Sequence, residues 1–301
     1  MKRQSRKLLM FGLVVLLLAG GCTLLSPAPT PVPTPIPISH VFAFGDGYTD
    51  NGNGLRLMDQ TNVYWPKYWE GRLSNGPVAV EVLATRLNVQ LTDYAVAGAE
   101  SGTGNAGYAL PNTGALSQIE KFKTELQGQT ADPRALYFIM IGLEDYPWAP
   151  QVKYSGDNSA LTEQTVNNIA MAISQLAQLG ARRFLVVNLG DGPEVPIVTM
   201  FNQSEPVAEF QTLLNSKLPG RLDALKSQLK VEITLFDYFA LSTQIRKNPS
   251  DYGLANVTDP CRPWGQSACA SPDQYYFWDE MYPSRSVHQI LGEAYAAIYG
   301  K

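Results

Sequence analysis

The sequence predicts an α/β fold, a three-layer α/β/α sandwich around a mostly parallel five-stranded sheet. Three observations predict it. From His40 onward, short apolar runs alternate with helical patterns, an order that yields a parallel sheet with helices on both faces. Two runs, Ala135–Ile141 (ALYFIMI) and Arg183–Leu189 (RFLVVNL), are apolar almost throughout, as in strands covered on both sides. No internal repeat is visible that would favour a solenoid or propeller.

The elements follow in order. Val41–Phe44 reads as a strand and Pro77–Leu87 as a helix. Gln90–Val96 reads as a strand, and Leu116–Leu126 as a helix with Ile119 and Phe122 at helical spacing. Ala135–Ile141 is the third strand, Glu163–Leu179 a helix, and Arg183–Leu189 the fourth strand. Pro206–Leu229 is helical, Glu232–Phe236 a strand, and Val287–Ile298 a closing helix. In such sheets ligands bind beyond the carboxyl ends of the strands. The loops after Phe44, Val96, Ile141 and Leu189, with the late loop Trp278–Pro283, are therefore the places to look for a site.

The 301 residues divide into three parts: 1–21, 22–39 and 40–301. Lys2, Arg3, Arg6 and Lys7 precede an apolar run, Leu8–Leu18, and then Ala19-Gly20-Gly21-Cys22, the pattern of an export signal. Small residues directly before a cysteine resemble a bacterial lipoprotein cleavage site, with Cys22 lipidated and anchored in the membrane. An ordinary secretory signal and an uncleaved anchor are the alternatives. The apolar run is short for a spanning helix, and all three readings export the protein. Prolines at 27, 29, 31, 33, 35 and 37 make 22–39 an extended spacer, roughly 30–40 Å long at about 3.1 Å per residue. A ligand for a proline-reading domain is the alternative role.

The formal net charge is −4. No acid lies before position 22, so removal of the four N-terminal cations leaves 19 basic and 27 acidic residues, a net charge of −8. A body that acidic is a poor partner for nucleic acid or an anionic membrane surface. In an exported chain, Cys261 and Cys269 suggest one disulfide, contributing on the order of 2–3 kcal/mol. Their spacing does not fit a zinc site, and neither a metal nor a cofactor is expected.

Five motifs carry the chemistry. They are Phe42-Ala43-Phe44-Gly45-Asp46-Gly47-Tyr48-Thr49-Asp50-Asn51-Gly52-Asn53, Gly71-Arg72-Leu73-Ser74-Asn75-Gly76-Pro77, Tyr94-Ala95-Val96-Ala97-Gly98-Ala99, Ile141-Gly142-Leu143-Glu144-Asp145-Tyr146 and Phe277-Trp278-Asp279-Glu280-Met281-Tyr282-Pro283. In this order they resemble the blocks of the GDSL (SGNH) lipase/esterase family over most of residues 41–295. The resemblance implies the flavodoxin-like SGNH-hydrolase fold. It also implies a serine nucleophile after Gly-Asp, a glycine N–H and an asparagine amide for the oxyanion, and an aspartate–histidine pair in the last block.

This chain departs from that pattern at three positions. It keeps Asp279 and Gly98, but has Gly47 for the serine, Tyr282 for the histidine and Glu144 for the asparagine. Glycine supplies no oxygen. A phenol, with a pKa near ~10, is a proton donor at neutral pH and a poor base. An ionised Glu144 turns a donor into an acceptor and repels an oxyanion. Losing triad members typically costs on the order of 10⁶ in turnover.

No other group stands in. His40 lies at the opposite end of the first strand, roughly 20 Å from its carboxyl end. His288 lies within the last helix and reads as a packed or capping histidine. Thr49, Ser74 and Ser101 read as turn and cap residues. Two functions compete. One is a non-catalytic protein holding a carbohydrate or acyl ligand in the old cleft, lined by Tyr64, Trp65, Tyr68 and Trp69. The other is a hydrolase with rewired chemistry, using Asp279, Glu144 or Tyr282 among the crowded acids Asp46, Asp50 and Asp145, where crowding raises carboxyl pKa values. A cation bound among those acids is a weaker variant.

Overall fold

The computed structural model describes residues 37–58, 68–107, 110–147 and 156–301. The segment expected to be an export signal, Cys22 and nearly all of the expected proline spacer lie outside the described residues, as do Tyr64 and Trp65. Among the described residues no helix is long and apolar enough to cross a membrane.

The main sheet has five strands, β1 (His40–Gly45), β2 (Gln90–Asp93), β3 (Leu136–Met140), β4 (Arg183–Val187) and β5 (Glu232–Phe236), in the order β2-β1-β3-β4-β5. Every pairing in it is parallel, so the sheet is wholly rather than mostly parallel. Each of its connections contains a helix, and none is a hairpin that could reverse a strand. Every residue of β3 is buried, as its unbroken apolar run predicts. β2 is shorter than expected, yet Tyr94 and Val96 still donate to the carbonyls of Ala43 (2.8 Å) and Gly45 (3.1 Å). The chain beyond Asp93 thus stays laced to β1.

The helices are α1 (Asn53–Leu57), α2 (Ala79–Leu87), α3 (Ala115–Glu125), α4 (Asn158–Leu179), α5 (Pro196–Met200), α6 (Ser204–Leu229), α7 (Tyr238–Lys247) and α8 (Arg285–Ala297). Helix α2 packs on α8, and α4 packs on both α3 and α6, giving one helical layer on each face. The start of α4 lies five residues earlier than its apolar periodicity indicates, because the Asp157 side chain caps it by accepting from Ser159 N–H. Three helices, α1, α5 and α7, and a small parallel sheet of β6 (Asn256–Pro260) and β7 (Tyr275–Phe277) have no counterpart in the sequence reading. All are short, and α1 and α5 have only five residues each.

The order of strands reverses at β1, which has β2 on one side and β3 on the other. A switch point of this kind leaves a crevice beyond the carboxyl ends of β1 and β3. The loops of the first and fourth motifs leave the sheet there, after Gly45 and its partner Met140.

Candidate functional site

The loop leaving β1 is shaped by its own carboxylates. Asp46 Oδ1 accepts from Tyr48 N–H at 3.0 Å, and the Asp46 carbonyl accepts from the amides of Thr49 and Asp50. Asp50 is fully buried. Its Oδ1 accepts from the amides of Gly52 (2.7 Å) and Asn53 (2.5 Å), and its Oδ2 from those of Gly54 (2.9 Å) and Ala97 (2.8 Å). One side chain thereby closes the turn into α1 and holds the third motif against the first. Burial raises the Asp50 pKa, and those four N–H groups pull it back.

The third motif turns at Gly98, whose φ of 73° lies in the left-handed region that favours glycine. Asn53 fixes the preceding strand end, donating from Nδ2 to the carbonyls of Asp93 and Ala95. The fourth motif contains a single 3-10 turn, Leu143–Asp145, after β3. Asp145 Oδ1 accepts from Ser101 N–H at 2.8 Å, just beyond the third motif, which ties the fourth motif to the third. Glu144 sits half-buried beside Asp46. Burial first, and then the Glu144 charge, hold the Asp46 carboxyl well above the ordinary range, against the opposing pull of the Tyr48 amide.

The fifth motif follows β7. Asp279 is wholly buried, and its Oδ1 accepts from the amides of Met281 and Tyr282, both at 2.9 Å. Its Oδ2 accepts from the Tyr68 hydroxyl and lies 3.9 Å from Arg262 Nη2. Burial raises its pKa, while Tyr68, the two amides and Arg262 lower it. The carboxylate kept from the family pattern therefore holds a tyrosine and a turn. The disulfide expected from sequence is present: Cys261 and Cys269 are joined, with Cα atoms 5.0 Å apart. Cys261 and Arg262 donate to the carbonyls of Phe277 and Trp278, which sews that loop to the fifth motif.

The decisive geometry joins residues 47 and 282. Tyr282 is buried. A Cβ placed on Gly47 would lie 2.5 Å from Tyr282 Cε1, 2.8 Å from its hydroxyl oxygen and 2.9 Å from Leu73 Cδ1. These separations are far below a carbon–carbon contact of about 3.5–4.0 Å. The tyrosine ring thus fills the volume that a nucleophilic side chain at 47 would need.

Both histidines are elsewhere. His40 stands at the amino end of β1, with Nε2 2.9 Å from Thr92 Oγ1. His288 is buried in α8, and its Nδ1 accepts from Ala79 N–H at 3.2 Å. It is a cap for the first turn of α2, with its pKa lowered by burial to about 3. Ser74 Oγ donates to the Pro283 carbonyl at 2.8 Å, and Ser101 Oγ lies 3.0 Å from Asn168 Nδ2. Thr49 is buried within the first motif. The five site positions Gly47, Gly98, Glu144, Asp279 and Tyr282 all belong to loops at the carboxyl-end crevice or to the fifth motif packed on it. Among the described residues no three His, Cys, Asp or Glu side chains are grouped to hold a metal ion.

One feature escaped the sequence reading. Behind Gly47, the hydroxyls of Tyr48 (3.2 Å) and Tyr238 (2.6 Å) donate to the buried Asp191 carboxylate. Tyr276 Oη lies 2.9 Å from Tyr238 Oη, and the Arg246 guanidinium covers the Tyr276 ring at 4.4 Å. Burial and the Asp191 charge push all three phenols well above their ordinary range, keeping them protonated. The only signal in the sequence was an acid, Asp191, just past an apolar strand.

A wholly parallel switch-point sheet with these five motifs at its carboxyl end defines a hydrolase-type scaffold. The model of the GDSL-like lipase/acylhydrolase family matches residues 41–295, and the chain belongs to that family. It is similar to the thermolabile hemolysin of Vibrio parahaemolyticus, 26% identical over 273 residues, which cover 84% of this chain and 62% of that protein. It is also similar to GDSL esterase/lipase 2 of Arabidopsis thaliana, 24% identical over 317 residues, covering 85% of this chain and 84% of that one. A solved structure of a lipolytic G-D-S-L protein from Veillonella parvula aligns with a TM-score of 0.48 at 13% identity, covering 87% of this chain and 99% of that one.

Proposed function

We propose that this protein is a non-catalytic member of the family that holds a glycan- or acyl-type ligand in the former active-site cleft. We further propose that it is exported and displayed at the cell surface through a lipid on Cys22. The observation that carries the first reading is the interlock of Gly47 and Tyr282. Position 47 has no oxygen, and the ring that replaces the family's histidine fills the space a nucleophile would occupy. The remaining changes point the same way. Glu144 brings negative charge to the place of the oxyanion donor, and Asp279 is engaged by Tyr68 and two amides.

A second reading rests on one observation, the buried Asp46 carboxyl whose pKa is raised beside Glu144. A carboxyl group whose pKa is raised by burial next to a second carboxylate is a pair suited to general acid–base work. The experiment is turnover of short-chain aryl esters by the mature protein. The binding reading expects no hydrolysis above a heat-denatured control. Hydrolysis that Asp46→Asn or Glu144→Gln abolishes would establish the acid–base pair instead. For the ligand, glycan and lipid arrays are probed with wild type and with Glu144→Gln. Loss of a specific ligand in the variant is the expected result.

A further inference from the structure

The carboxyl-end face carries a second concavity on the β2 side of the cleft, with a volume of about 460 Å³, within the usual size of small-molecule sites. Its floor is built. Tyr94, Val96 and Gln118 are all buried, and Gln118 is clamped by reciprocal hydrogen bonds to Gly45 N (2.9 Å) and Gly45 O (2.8 Å). Leu57, which is 57% exposed, and Pro111 add apolar wall.

The charge on this concavity is one-sided. Among the described residues, Arg56 and Lys121 line it and no acid does, although acids outnumber bases in the chain. Arg56 Nη2 donates to two neutral acceptors, Asn53 Oδ1 (2.6 Å) and Asn51 Oδ1 (3.4 Å). Among the described residues no carboxylate pairs with it. Lys121 lies 4.8 Å above the Tyr94 ring and is offset by Glu125 at 2.7 Å, outside the lining. Among the described residues the guanidinium is therefore the dominant charge of the lining that no carboxylate pairs, set beside apolar wall.

We propose that this pocket binds an amphiphilic monoanion, a carboxylate carried on a short alkyl chain or a single ring. The head pairs with Arg56, with Lys121 alongside, in charge-assisted hydrogen bonds. The apolar part lies against Leu57, Val96 and Pro111. A cationic ligand meets like charge here, and a neutral one would desolvate the guanidinium without replacing its lost water.

The test is calorimetric titration of the mature full-length protein with octanoate, octanol and octyltrimethylammonium. Octanoate is expected to bind saturably at one site, and octanol at least about tenfold more weakly, since the charged head supplies the stronger hydrogen bonds. The ammonium is expected not to bind. Arg56→Gln, a change on the exposed end of α1, weakens octanoate by about tenfold or more, and Lys121→Gln by less. Ser117→Phe, which fills the pocket from an outer position of α3, abolishes binding. Equal affinity for octanoate and octanol overturns the proposal, as does unchanged affinity in a folded Arg56→Gln variant or no saturable binding up to about 10 mM. Loss of octanoate binding in Tyr282→Phe but not in Arg56→Gln also overturns it, because the ligand would then lie in the former cleft.

Discussion

The seam between the first and third motifs and the seam between the first and fifth meet at one loop and are built oppositely. In the first seam, the Asp50 carboxylate gathers four backbone amides, so one buried charge fixes the path of two loops. In the second, the contact is one of packing: an aromatic ring fills the volume a side chain at 47 would need. On the proposed reading, the motif residues fall into two groups, those that hold loops in place and those that would act on a substrate. Asp50 belongs to the first group and holds its loops here. Positions 47 and 282 belong to the second, and on that reading their changes are a packing pair.

The sharpest way to break this comparison is at Asp50. Asp50→Ala strands four buried amides, and the expected loss is about 3–5 kcal/mol, in the range of a broken buried network. Urea unfolding of the two proteins measures it, and a loss below about 1 kcal/mol would mean that water replaces the carboxylate.

The other seam is tested at Gly47. Gly47→Ser alone is expected to destabilise by about 1–3 kcal/mol through overpacking. The same change made with Tyr282→His is expected to cost markedly less than the sum of the two single changes. A double-mutant cycle reads the coupling, expected at about 0.5–3 kcal/mol for residues in contact. Additive effects would show that the ring does not occupy the space of a side chain at 47.

His288 gives a slower lever on the same region, through α2. Its folded pKa, about 3, lies below the ordinary 6.5. Between those values the unfolded chain binds the proton and the folded one does not, so stability falls as pH falls from 6.5 toward 3, and the cost is absent above 6.5. The slope from this group approaches about 1.4 kcal/mol per pH unit. Asp46, Asp50 and Asp279, with raised pKa values, act in the opposite sense, since the folded state holds their protons longer as pH rises. Subtracting the pH profile of His288→Gln from that of wild type isolates the histidine, and a flat difference between pH 4 and 6.5 would contradict its assignment. The smallest effect is expected at Ser74→Ala, about 1 kcal/mol, for the hydrogen bond to the Pro283 carbonyl.

Much of the fold was readable because periodicity is local. The unbroken run at Ala135–Ile141 announces a strand with two covered faces, and β3 is one. The five-residue helices α1 and α5 and the β6–β7 pair were not readable, since each is too short for a period and is held by tertiary bonds, such as Ile197 N–H to the Glu280 carbonyl. At the site, sequence order pointed to the loops that meet. It gave no indication that Tyr68, from a segment before the second motif, caps Asp279, or that Tyr48, Tyr238 and Tyr276 gather around Asp191 and Arg246. Those partners are up to 228 positions apart in the chain, and only the closed structure brings them together.

The interlock of Gly47 and Tyr282 also has a historical consequence. On the proposed reading, a serine once stood at 47, and a tyrosine could not settle at 282 while it did. The serine therefore left first, or both changed together. The same collision burdens the return path. A single mutation that restores the hydroxyl meets the ring, and one that restores the histidine finds no nucleophile to serve. Neither step alone regains the old chemistry, so the loss works as a ratchet.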